Sequence, residues 1–138
     1  MGLIYLDSCI VIYALESASA LHETVLLKIA AAPNDEFAIS HLVIAECLAG
    51  PLRIGNSFLL QDYERFFHRV KVLELNEAIF RQGAHLVARG QLKMPDALHV
   101  ACAQYHGCDA LWTNDDRMSQ ASGGLAVSVI PHPTTPPP

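Results

Sequence analysis

Gly2-Leu3-Ile4-Tyr5-Leu6-Asp7-Ser8 is a short apolar run that ends on an acid and a hydroxyl. Ile4 and Tyr5 favour a strand, and uninterrupted apolar character suits a parallel strand covered on both faces. Asp7-Ser8 then offers N-cap chemistry to a helix over Cys9 to Leu15. A strand that hands over to a helix in this way opens an α/β fold, and open α/β sheets build their sites at the carboxyl ends of such strands. Asp7 stands at that place.

Outward from this start the alternation continues. Leu21, Val25, Leu26 and Ile29 have helical spacing over about residues 18–32, and Pro33-Asn34-Asp35 ends the run. Phe37-Ala38-Ile39 reads as the second strand, and Ser40 opens a helix through Leu48 that carries Glu46 and stops at Gly50-Pro51. A further amphipathic helix covers about 54–68, a strand 70–75, and Asn76 caps the next helix. Pro95 suits the first turn of a helix running to Tyr105 or His106, which places Asp96 where the helix dipole favours negative charge. Ala97, Ala101 and Ala103 on that helix imply close packing. Residues 110–113 form the fourth strand, a short helix follows Asp115, and residues 125–130 close the sheet. The pattern predicts one three-layer α/β/α domain over residues 1–130, with a central, mainly parallel sheet of four to five strands. Residues 131–138 form a Pro-rich tail, expected to be disordered, that cannot build a core.

Composition narrows the classes. The chain has 138 residues, enough for one domain with a sizeable core, and its 51% hydrophobic content suits a sheet covered on both faces. A formal charge of −5 argues, at face value, against nucleic acid. Four of the acids are candidate metal ligands, however, and bound cations would change the sign of the local field. Cys9, Cys47, Cys102 and Cys108 show no zinc spacing and read as reduced, buried hydrophobes. The N-terminus lacks a basic segment and its apolar run is too short for a signal peptide or a span, so a cytoplasmic protein without a membrane segment is expected.

Asp7, Glu46, Asp96 and Asp115 stand in apolar or helix-opening surroundings, with no lysine beside any of them to form an obvious ion pair. A carboxylate beside buried segments must find a cation or neutralise. Parallel topology brings Asp7 and Asp115 out on one sheet edge, where Asp96 and Glu46 can reach the same cleft. Hard oxygen ligands select Mg²⁺ or Mn²⁺ over Zn²⁺. Such a cation lowers the pKa of water and stabilises charge on a scissile phosphate; in-line attack would leave a 5′-phosphate and a 3′-hydroxyl. Asp116 is either a fifth acid of the site or a solvated helix-start residue. Ser8, Ser40 and Thr113 either donate hydrogen bonds to carboxylates or a phosphate or serve only as helix caps, and His99, three residues after Asp96, either orients a ligand or packs in the core. Arg53, Arg65, Arg69 and Lys71, interleaved with Tyr63, Phe66 and Phe67, form a segment that either meets nucleic-acid phosphates and stacks bases or packs its aromatics against the body or a partner.

These motifs resemble the PIN-domain family, most closely the VapC-type ribonuclease toxins of toxin-antitoxin modules. Leu6-Asp7-Ser8 resembles the family's first acid, Ile44-Ala45-Glu46 its second, Pro95-Asp96-Ala97-Leu98-His99 its third and Thr113-Asn114-Asp115 its fourth. Each is short, but the order and spacing together are specific. Family members commonly carry an aromatic residue three positions after the fourth acid, where Met118 stands here. The resemblance implies a Mg²⁺- or Mn²⁺-dependent endoribonuclease acting on RNA, held inactive by a cognate antitoxin and usually a homodimer. The alternative is a catalytically silent PIN fold that only binds RNA or protein. A dehalogenase-like phosphatase would need an acid at Cys9, and a two-component receiver an acidic pair near the first strand and a late lysine; neither pattern is present.

Overall fold

The computed structural model describes residues 2–90 and 92–128. The expected tail at 131–138 and the end of the expected closing strand lie outside the described residues. Among the described residues five strands, β1 (Leu3–Leu6), β2 (Glu36–Ser40), β3 (Lys71–Leu73), β4 (Ala110–Thr113) and β5 (Ala126–Ser128), form one sheet in the order β3-β2-β1-β4-β5. Every neighbouring pair is parallel. Ile4, Tyr5 and Leu6 are buried in succession, as are Leu111, Trp112 and Thr113, so both sheet faces are covered.

Among the described residues seven helices fill the connections: α1 (Ser8–Leu15), α2 (His22–Ala30), α3 (His41–Ile54), α4 (Ser57–Phe67), α5 (Glu77–Ala88), α6 (Met94–Tyr105) and α7 (Asp116–Ala121). The chain steps from β1 to β2 to β3 in one direction, then crosses back to β4 and β5. Right-handed crossovers therefore put α1–α4 over one face and α5–α7 over the other, which gives the three layers. The reversal leaves a crevice outside the carboxyl ends of β1 and β4, where open α/β sheets bind ligands. No helix among the described residues is long and apolar enough to cross a membrane.

The largest departure from the sequence reading lies in α3. The helix does not stop at Gly50-Pro51; it carries Pro51 and runs on to Ile54. Pro51 cannot donate to the Cys47 carbonyl, but it is buried, and the true stop comes four residues later. Gly55 adopts a left-handed φ of 69°; its N–H bonds the Leu52 carbonyl and the Asn56 N–H bonds the Pro51 carbonyl. This is a Schellman closure, which needs a residue tolerant of positive φ. The next helix accordingly begins at Ser57 rather than near 54, with the Asn56 side chain accepting from the Leu59 N–H. The second helix is also shorter than expected, starting at His22 instead of near 18, because two tight turns precede it: the Ser19 N–H bonds the Glu16 carbonyl and the His22 N–H bonds the Ser19 carbonyl. The third strand is trimmed to Lys71–Leu73.

The alanine face of α6 packs as expected, with Ala97, Ala101 and Ala103 buried. Against it α5 presents Gly83, where a Cβ would lie 2.8 Å from Leu98 Cδ2. Gly83→Val is expected to overpack this contact and cost about 1–3 kcal/mol, read as a lowered urea midpoint with an unchanged slope.

Candidate active site

Asp7 is placed by β1 and used twice. Its side chain caps α1 through the Ser8 N–H at 2.7 Å from Oδ1, and its Oδ2 receives the Thr113 hydroxyl at 2.8 Å and the Cys9 thiol at 3.5 Å. The carboxylate is buried, and these donors offset its desolvation. Burial, reinforced by the charge of Asp7, pushes the Cys9 thiol up to about 12, so it remains a protonated donor. Thr113 Oγ1 also accepts the Asp115 N–H at 3.1 Å, coupling the ends of β1 and β4 through one buried hydroxyl.

Asp96 lies in the first turn of α6, and Asp115 caps α7 by accepting the Arg117 N–H at 2.9 Å. Asp7, Asp96, Asp115, Asp116 and Arg117 line one cleft of about 640 Å³ at the crevice between β1 and β4. Burial first, then the charges of Asp7 and Asp115, raise the Asp96 pKa above its ordinary range, with His99 opposing in part. Asp115 is shifted the other way: the Arg117 guanidinium donates from Nε to Oδ1 at 3.2 Å and from Nη2 to Oδ2 at 3.1 Å, holding its pKa below the usual range.

Glu46 is held differently. His99 Nε2 lies 2.6 Å from Glu46 Oε1 and 3.7 Å from Asp7 Oδ1. On the other side of the ring, Nδ1 is 2.7 Å from the Tyr5 hydroxyl, which is 2.7 Å from Ser40 Oγ. Burial raises the Tyr5 pKa well above its ordinary value and keeps the phenol protonated. With Glu46 ionised, one donor order satisfies the chain: Ser40 donates to Tyr5, Tyr5 to Nδ1, and Nε2–H to Glu46, while Ser40 accepts the Val43 N–H. His99 is thus both readings at once, a buried core residue and the group that orients a site carboxylate.

The structure brings Asp7, Asp96, Asp115 and Asp116 to one cleft, with Ser8 and Thr113 supporting. Glu46 lines a neighbouring groove of about 300 Å³ with Arg53, while its charge still reaches Asp96 and it shares His99 Nε2 with Asp7. Among the described residues no three His, Cys, Asp or Glu side chains stand close enough together to hold one ion; Asp115 is occupied by Arg117 and Glu46 by His99. The donor set still suits a hard divalent cation, since the carboxylates stand close enough for the charges of Asp7, Asp115 and Glu46 to add to burial in raising the pKa of Asp96. Of the proposed RNA-contact residues, only Arg53 lies beside a site acid. Arg65 is paired with Asp62 at 3.1 Å. Arg69 and Lys71 share a groove with Glu36 at the start of β2, at the sheet edge opposite the cleft. Tyr63 and Phe67 are buried and Phe66 partly so, which spends those aromatics on packing. Met118 is fully buried and sits 3.4 Å from Thr113 Oγ1, so it fills the position in the core. Sequence reasoning misses Arg117, although an N-cap Asp with an arginine two residues on is itself a pairing signal. It also misses Tyr5, whose partner is 94 residues away.

Comparison with known proteins agrees with the architecture. The PIN domain family model matches residues 4–124. A toxin-antitoxin complex from Klebsiella pneumoniae is 22% identical over 92% of this chain and 98% of its own, with a TM-score of 0.74. DNA-bound VapBC from Salmonella typhimurium is 16% identical over 94% and 100%, with a TM-score of 0.75. The sarcin-ricin-loop-cleaving toxin VapC20 from Mycobacterium tuberculosis is 19% identical over 86% and 94%, with a TM-score of 0.73. No curated protein matches the chain by sequence.

Proposed function

Because the chain belongs to the PIN-domain family, we propose that it is a divalent-metal-dependent endoribonuclease and the toxin of a toxin-antitoxin pair. The observation that carries this reading is the carboxylate cleft at the switch point of the sheet, which Asp7, Asp96 and Asp115 line together. Three hard-oxygen donors there would hold Mg²⁺ or Mn²⁺, with Glu46 beside them and Asp116 at the rim. The cation supplies Lewis acidity toward a phosphodiester and lowers the pKa of attacking water.

The protein's own residues set up that chemistry. Thr113 and Ser8 fix the Asp7 carboxylate in one orientation, so little reorganisation is needed when charge develops on the substrate. The Tyr5–His99 chain holds Glu46 Oε1 within reach of the cleft. The cleft is open, which suits a polymer entering from the side. RNA is the substrate class we assign, and the toxin-antitoxin complexes among the structural neighbours support a cognate antitoxin as partner. The same reading makes the protein a cytoplasmic homodimer.

The test is incubation of defined single-stranded and stem-loop RNAs with purified protein and Mg²⁺ or Mn²⁺, against EDTA. Metal-dependent products with 5′-phosphate ends are expected. Binding of RNA or of a protein without cleavage would overturn the assignment in favour of a silent PIN-fold binding module.

A further inference from the structure

Arg117 is the one cation among the described residues that line the cleft, and its guanidinium is spent on a residue assigned above to the metal. This pairing is not what holds the local fold. Asp115 caps α7 through the Arg117 backbone N–H, a bond that is independent of the arginine side chain. The guanidinium itself lies at the surface, with 63% of the side chain exposed against 26% for Asp115, and such exposed pairs add little to stability. Yet both Asp115 oxygens are engaged, Oδ1 by Nε and Oδ2 by Nη2. A metal ion and the guanidinium therefore compete for the same carboxylate.

The substrate meets the complementary problem. A phosphodiester entering a cleft walled by Asp7, Asp96 and Asp116 is repelled unless cations lie beside it. Arg69 and Lys71 are at the opposite sheet edge, Arg65 lines a separate groove with Asp62, and Arg53 lies in the groove beside Glu46 rather than in the cleft. The planar guanidinium fork that fits a carboxylate fits two phosphate oxygens equally well.

We propose that Arg117 is an exchangeable counter-ion: it neutralises Asp115 until a divalent cation takes that carboxylate, and then binds a non-bridging oxygen of the RNA phosphate. This deepens the nuclease reading and rests on it. No covalent bond is made or broken in the exchange; the guanidinium hydrogen bonds to Asp115 give way to coordination of the cation by the same carboxylate. Metal and RNA binding are thereby ordered, since the metal frees the group that holds the phosphate.

The experiment pairs calorimetric titration of the full-length protein with Mn²⁺ alone and the salt dependence of KM for a defined RNA, in wild type, Arg117→Ala and Arg117→Lys. Arg117→Ala is expected to bind Mn²⁺ several-fold more tightly, because the competitor is gone, while its KM rises and its salt slope falls by about 1. Arg117→Lys, which keeps the charge and loses the fork, is expected to lie between. A merely structural arginine would weaken both interactions or neither. Mn²⁺ affinity equal to or weaker than wild type in Arg117→Ala overturns the exchange, and tighter Mn²⁺ with an unchanged KM and salt slope overturns the phosphate contact. Wild-type protein that binds no Mn²⁺ overturns the metal reading of the site itself, whereas cleavage and Mn²⁺ binding in wild type with no change in Arg117→Ala leave that reading standing and remove only this inference.

Discussion

Asp7→Asn is expected to lower metal-dependent RNA cleavage by roughly a thousandfold or more, equivalent to about 4 kcal/mol of transition-state stabilisation. The size follows from position. Asp7 is the most buried of the site acids and is fixed on both oxygens by Ser8, Cys9 and Thr113, so no neighbouring carboxylate can move in to replace it. Folding should survive the change. An asparagine oxygen still accepts the Ser8 N–H and caps α1, and the Thr113 hydroxyl can turn to accept from the new amide. Circular dichroism and melting separate the two effects: an intact fold with wild-type cleavage, measured on protein freed of contaminating nucleases, removes Asp7 from the site.

The second large effect is on stability, and its sign depends on pH. Asp96 has a folded pKa above its unfolded value of about 4, so below pH 4 its contribution is neutral and fully retained. As pH rises through the folded pKa the folded state must ionise a partly buried carboxyl, against its desolvation first and the charges of Asp7 and Asp115 second, and metal-free stability falls. Asp115 acts in reverse. Its folded pKa is lowered by Arg117, so its stabilising contribution is present above pH 4 and is lost as pH falls through that lower value. The metal-free protein should therefore be most stable in weak acid and lose melting temperature toward neutrality. Mn²⁺ at a hundred times its Kd should restore about 2.7 kcal/mol, a rise of roughly 10 °C for a chain of this size. Asp96→Asn should flatten the neutral side of the metal-free profile and blunt the response to Mn²⁺. Melting curves for both proteins from pH 4 to 8, with and without Mn²⁺, check this; identical profiles would show that Asp96 does not titrate above its ordinary range in the folded protein.

The fold and the placement of half of the candidate site residues were legible because they depend on local signals. An apolar run ending in Asp-Ser places Asp7 at a strand end, and Met94-Pro95-Asp96 places the third acid in a first turn, whatever the rest of the chain does. The alternation of strands and helices then fixes which edge they share. What was not legible depends on distant partners. Glu46 lies on a correctly placed helix, but its orientation is set by His99, and that of His99 by Tyr5 and Ser40, residues from three other elements. The stop of α3 was misplaced because Gly50-Pro51 is a strong local breaker, whereas the decisive feature, a left-handed glycine at 55 closing back on Pro51 and Leu52, becomes visible only when the helix is allowed to pass through proline. The basic segment from Arg53 to Lys71 looked continuous in sequence, but it spans the end of α3, all of α4 and the start of β3, so its charges scatter over separate grooves.

The central claim is that Asp7, Asp96 and Asp115 jointly hold a divalent cation. It is tested most directly by titrating Mn²⁺ into wild type and into Asp7→Asn, Asp96→Asn and Asp115→Asn, each confirmed to be folded. Saturable binding in wild type that weakens at least about tenfold in every variant, more than about 1.4 kcal/mol each, is the expected result. No binding in wild type, or binding that survives unchanged in all three variants, would contradict it.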